Sequence, residues 1–115
     1  MPVLFVVHRS PMTAIENNAF TQALRDLSAR LPKPRAVCVI SAHWVTSGSH
    51  VLASSHPQTI HDFYGFPRDL YEVEYPAPGA PAEAGKLAEN PAIVPDEKWG
   101  LDHGSWSVLR HMYPQ

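Results

Sequence analysis

The sequence predicts an α/β fold, a mostly parallel or mixed central sheet flanked by helices, in one domain covering residues 1–115. Three observations carry that expectation. Residues 3–7 and 37–40 are short, continuous apolar runs rich in β-branched side chains, the pattern of strands covered on both faces. Between them, Ile15, Phe20, Ala23, Leu24, Leu27 and Leu31 recur at helical spacing, with Glu16, Gln22, Arg25 and Asp26 off that stripe. A strand, a helix and a strand in that order form a βαβ unit, which predicts a parallel pair joined by a right-handed crossover.

Each element has its own local signal. Arg9-Ser10-Pro11 breaks the first run. Thr13 is placed to cap a helix over residues 14–31, and Glu16, three positions on, matches a capping box. Pro32 and Pro34 close that helix. In residues 45–55, Ser47-Gly48-Ser49 is a turn signal between β-prone pieces and predicts a hairpin-like extension. Residues 56–81 read as a loop dense in aromatic residues and proline. Pro81 suits the first turn of a short helix running to about Glu89. Residues 92–94 predict a short strand and residues 105–112 a last helix. The end of the sequence, a helix followed by Pro114, reads as an interruption.

Composition narrows the function classes. Hydrophobic residues make up 44% and charged residues 17%, a globular balance. A net charge of −2 supplies no basic field, so neither nucleic acid nor an anionic membrane is an expected partner. The apolar start lacks a basic leader and a small-residue cleavage site, so it reads as a strand; a soluble, cytoplasmic protein is expected. Cys38 lies inside an apolar run and is expected to be a small core residue. No glycine-rich phosphate loop, nucleophile elbow or cysteine pair is present.

Seven histidines are many for this length, and their positions matter more than their number. In an open parallel sheet, ligands bind beyond the carboxyl ends of the strands. His8 follows the first apolar run directly, and His43 follows the second within Ser41-Ala42-His43-Trp44. If the two strands are parallel neighbours, both imidazoles emerge on one edge, where they could bind Zn²⁺ or Fe²⁺; each could equally be a hydrogen-bonded strand-end residue. His103, in Leu101-Asp102-His103-Gly104-Ser105-Trp106, suits a general acid or base held in a loop, or Asp102 simply caps the last helix. His61, in His61-Asp62-Phe63, either lines a pocket for a flat substrate or packs in an ordinary loop. His50, His56 and His111 have no such context and are expected at the surface.

The segments His8-Arg9-Ser10-Pro11-Met12, Ser41-Ala42-His43-Trp44, Thr59-Ile60-His61-Asp62-Phe63, Tyr75-Pro76-Ala77-Pro78-Gly79 and Leu101-Asp102-His103-Gly104-Ser105-Trp106 together resemble the class III extradiol ring-cleavage dioxygenases, DOPA 4,5-dioxygenase-like branch. They occur in the family's order along the whole chain. The resemblance implies a non-haem Fe(II), with zinc possible at the same site, that opens the ring of a catechol with O₂. It implies that His8 and His43 are metal ligands, that His103 is the catalytic residue for proton transfer, and that His61 belongs to the substrate pocket.

The sequence departs from the family in three ways. Val7 and Arg9 stand where the family's Gly-His-Gly-Ser-Pro motif has glycines, and the Arg9 side chain could turn toward the metal or outward. The stretch from 89 to 93 is shorter than the family's connection there. Family members are also roughly twice as long, so the chain is expected to be an incomplete version, the N-terminal half of the family domain. Self-association or a missing C-terminal half would then complete it.

Two other functions fit the same residues. One is a zinc-dependent hydrolase, told apart by whether O₂ is required. The other is a non-catalytic truncated scaffold or binding module that keeps the histidines.

Overall fold

The computed structural model describes residues 1–114. Its first regular element is set by local capping. Pro11–Ala14 forms a 3-10 turn, and Ser10 Oγ accepts the Met12 N–H at 3.2 Å. Helix α1, Ala19–Arg30, begins only after Asn18, whose side chain accepts the Thr21 N–H at 3.0 Å while the Thr21 hydroxyl accepts the Asn18 N–H at 3.0 Å. The expected cap at Thr13 is therefore corrected. Asn18 satisfies one free donor and has its own satisfied in return. Thr13 instead lies buried, its hydroxyl donating to the His8 carbonyl at 2.9 Å. The helix stops at Leu31, whose extended backbone (ψ 147°) is what a residue preceding proline adopts.

The sheet is small and parallel, but it forms elsewhere than the first two apolar runs. Strand β1, Ser49–Leu52, pairs with β2, Ile93–Asp96, in parallel register from Ser49 opposite Ile93 to Leu52 opposite Asp96. No hairpin forms around Gly48; its positive φ of 79° turns the chain into β1, which then pairs with a distant strand. Parallel strands need a crossover, and the connection carries α2, Arg68–Tyr71, and α3, Pro81–Leu87. Pro81 occupies the first turn of α3, where its missing N–H costs nothing. A further parallel bridge joins Thr59 to Leu101. It delivers the chain to α4, His103–Met112, whose N-cap is Asp102.

Residues 3–7 and 37–40 join no ladder, which corrects the expected βαβ unit. A strand needs a neighbour for its N–H and C=O groups, and neither segment finds one among the described residues. Residues 37–40 are exposed throughout, and of residues 3–7 only Val6 is partly buried. Val6 packs against Leu24, Val108 and Met112, whereas Val3, Phe5 and Val7 are exposed. Cys38 is likewise exposed and not a core residue.

Two apolar clusters meet along α4. Ala14, Leu70, Val73, Tyr75 and Trp106 form one; Leu24, Val108 and Met112 form the other, roofed by Phe20 and Leu27 of α1 and by Leu31 just after it. His111 is corrected from surface to interior. Its Nε2–H donates to the Thr13 carbonyl at 2.6 Å, leaving Nδ1 to accept from Arg25 Nη2 at 3.0 Å. Burial, with the charges of Arg25 and Arg110, holds its pKa below the usual 6.5 despite the bond to Thr13. His56 is exposed as expected, while His50 is half-buried beside Asp96. Among the described residues no helix is long and apolar enough to cross a membrane.

Candidate metal centre

Three histidines from distant parts of the chain converge. His8, His43 and His103 each offer a ring nitrogen, and these atoms lie within 4.8 Å of one another. The 3-10 turn positions His8 through the Thr13 bond to its carbonyl. His43 sits in the turn that follows residues 37–40, and His103 opens α4. Nε2 of His8 and Nε2 of His43 are 2.9 Å apart. The ring of His103 lies 4.1 Å from that of His43 and 5.2 Å from that of His8, centroid to centroid.

The donor set fits a divalent transition metal. Two imidazole nitrogens, each ~2.1 Å from one cation, stand about 3 Å apart, close to the separation of the first pair. Nδ1 of His8, the ring nitrogen not facing His43, is buried without a hydrogen-bond partner among the described residues. Burial, followed by the neighbouring His103 and His43, lowers the His8 pKa below 6.5, against the opposing pull of Asp102 and Asp62. It is therefore neutral near pH 7, the state that a metal ligand requires.

Two carboxylates frame His103, which is only 5% exposed. Asp62 Oδ1 accepts its backbone N–H at 2.9 Å and also stands 2.9 Å from its Nδ1. The second contact falls short of an aligned ring hydrogen bond. Burial would raise the Asp62 carboxyl, but the bond from the His103 backbone N–H and the nearby His103 ring outweigh it and hold the pKa low. Asp102 Oδ1 caps α4 on the Ser105 N–H at 3.2 Å and accepts the Ser41 hydroxyl at 2.7 Å. Gly104 lets the first turn of α4 pass against the His43 ring, since a Cβ there would stand 2.7 Å from His43 Cδ2.

The remaining sequence-derived position, His61, lies outside the cluster. Its Nε2–H donates to the Val73 carbonyl at 2.7 Å, and its ring packs among Phe63, Tyr71 and Trp106. Phe63 touches both the His61 and His103 rings, so one aromatic layer separates them. Arg9 is exposed and turns outward. Its φ of 62° makes it the one non-glycine residue with positive φ among the described residues, which accounts for the glycine that the resemblance leads one to expect there. Sequence reading missed Ser41 as a partner of Asp102; adjacency to His43 was its only signal.

A small parallel sheet flanked by helices and three histidines gathered within 4.8 Å define an α/β domain with a candidate metal centre. The family described as the catalytic LigB subunit of aromatic ring-opening dioxygenase matches residues 2–115, and the chain belongs to it. Among relatives, a 4,5-DOPA dioxygenase extradiol of Escherichia coli (strain K12) is 52% identical over 118 residues, covering 99% of this chain and 44% of that protein. A protein of the same description from Beta vulgaris is 39% identical over 121 residues, covering 96% and 45%. The crystal structure of an uncharacterized protein from Escherichia coli K12 superposes with a TM-score of 0.65 at 43% identity, over 86% of this chain and 37% of that one. The chain thus spans less than half the length of these relatives.

Proposed function

We propose that this chain supplies the N-terminal, metal-binding half of an Fe(II)-dependent extradiol dioxygenase acting with O₂ on a catechol, DOPA-like in kind. The convergence of His8, His43 and His103 within 4.8 Å carries the reading. His8 and His43 would hold the metal, with zinc able to occupy the same nitrogens, and further ligands would come from residues beyond this segment. Bound there, Fe(II) would supply the centre at which a catechol and O₂ are brought together.

Other roles would fall to the chain's own residues. With Asp62 against Nδ1, Nε2 is the atom of His103 left to accept a proton from a catechol hydroxyl and to return it later. Phe63 against the His103 ring would keep competing water from that side. His61, a layer behind Phe63, would set the depth of the substrate pocket.

The test measures metal stoichiometry, then O₂ uptake and visible absorbance of the ring-opened product on adding a catechol to the anaerobically Fe(II)-loaded protein. His43→Ala is expected to abolish metal binding. His103→Ala is expected to keep the metal and to lose turnover by ~100-fold or more, the size of a general acid–base contribution. Unchanged metal stoichiometry in His43→Ala sinks the assignment. Loss of metal in His103→Ala would instead make His103 a third ligand.

A further inference from the structure

The His8–His43–His103 cluster joins residues from three separate segments, and the segment carrying His43 has no strand ladder to fix it. The Ser41 side chain ties that segment to the start of α4. Its Oγ accepts the His43 backbone N–H at 3.2 Å, and its hydroxyl donates to Asp102 Oδ1 at 2.7 Å. Asp102 is itself immobile, being only 2% exposed and committed to the Ser105 N–H of the first turn of α4. One oxygen thus receives both the loop that carries His43 and the helix that begins with His103. At Gly104 the two elements come so close that any side chain would meet Ser41 Oγ at 2.9 Å and His43 Cδ2 at 2.7 Å.

We propose that Ser41, bridged to Asp102, is a positioning residue that locks His43 against the start of α4 and so sets the spacing of the metal ligands. Resting on the metal-centre reading, the proposal adds a residue that touches neither metal nor substrate. A bond to a ligand's neighbour orients that ligand, and losing such support typically costs 10–100-fold in metal affinity. Helix capping alone gives a different expectation. The cap bond from Ser105 to Asp102 survives in Ser41→Ala, so α4 keeps its start while the bridge is lost.

The experiment titrates Co(II) anaerobically into wild type, Ser41→Ala, Ser41→Thr and His43→Ala, following the visible d–d bands. Thermal melting of each metal-free protein is measured alongside. Ser41→Ala is expected to bind Co(II) at least ~10-fold more weakly, with altered bands and near-wild-type metal-free melting; Ser41→Thr, which keeps the hydroxyl, is expected to restore both. Ser41→Ala with wild-type affinity and bands overturns the proposal, as does a loss that Thr does not rescue. In the metal-free protein, an NMR proximity signal between the His43 Cδ2 proton and the Gly104 Cα protons is expected in wild type and weakened in Ser41→Ala; its persistence in Ser41→Ala also overturns the proposal. If wild type binds no Co(II), or His43→Ala binds it normally, the metal-centre reading fails, and the proximity signal still decides whether Ser41 positions His43.

Discussion

The two sides of the histidine cluster are built differently. His103 opens a helix whose Trp106 is wholly buried, and two carboxylates fix the helix start. His8 and His43 follow segments with no ladder, where Val3, Phe5, Val7 and Ile40 are exposed and only residues such as Val6 reach the core. Helical hydrogen bonds are internal to a segment, so α4 needs only a packing surface to hold His103. A segment outside any ladder needs partners along its length, so His8 and His43 are held by a few side-chain contacts, among them Thr13 to the His8 carbonyl, Ser41 beside His43 and the stacking of Trp44 on Trp99. A site can therefore be firmly anchored on one side and lightly tethered on the other.

Breaking the buried side should have the largest effect on stability. Trp106→Ala removes a fully buried ring and its Nε1–H bond to the Ile60 carbonyl, and is expected to cost about 3–5 kcal/mol by urea unfolding. A midpoint close to wild type would show that α4 is not the anchor.

The seam between the two sides should be sensitive to acid. The pKa of His111 is held below its ordinary 6.5, so below 6.5 the unfolded chain binds more protons than the folded one. Its contribution is present above 6.5 and is lost as pH falls through 6.5 toward the lower folded value. The thermal midpoint is accordingly expected to drop between ~pH 7.5 and ~pH 5.5, and His111→Gln to flatten that slope. The lowered pKa of His8 acts in the same sense, so some slope should remain. An identical pH profile for His111→Gln would count against its role at this seam.

The smallest effect is expected on the lightly tethered side. Arg9 holds φ at 62°, which a side chain disfavours, so Arg9→Gly should stabilise by about 0.5–1 kcal/mol after allowing for glycine's greater freedom in the unfolded chain. Chemical denaturation would check this, and destabilisation would mean that the Arg9 side chain contributes contacts that outweigh the backbone strain.

Much of this molecule was legible in the sequence because much of it is local. The stripe of Phe20, Leu24 and Leu27, the Pro81 helix start and the Asp102 position ahead of a helix rest on neighbours within a turn or two. The motifs around His8, His43 and His103 also indicated, by order and residue type, which side chains would meet. What the sequence did not decide was pairing. Residues 3–7 and 37–40 have the composition of buried strands, but composition does not say whether a neighbouring strand is there to receive their hydrogen bonds. The strand at Ser49–Leu52 read as part of a hairpin because its partner, Ile93–Asp96, lies some forty residues away in the chain. His111 read as surface because its partners, Thr13 and Arg25, come from the other end of the chain. Ser41 and Asp102, 61 positions apart, meet only once α4 packs. Capping and periodicity act over a few residues and are written in the sequence, whereas strand pairing, burial of polar groups and the assembly of a site depend on contacts that exist only after the chain has folded.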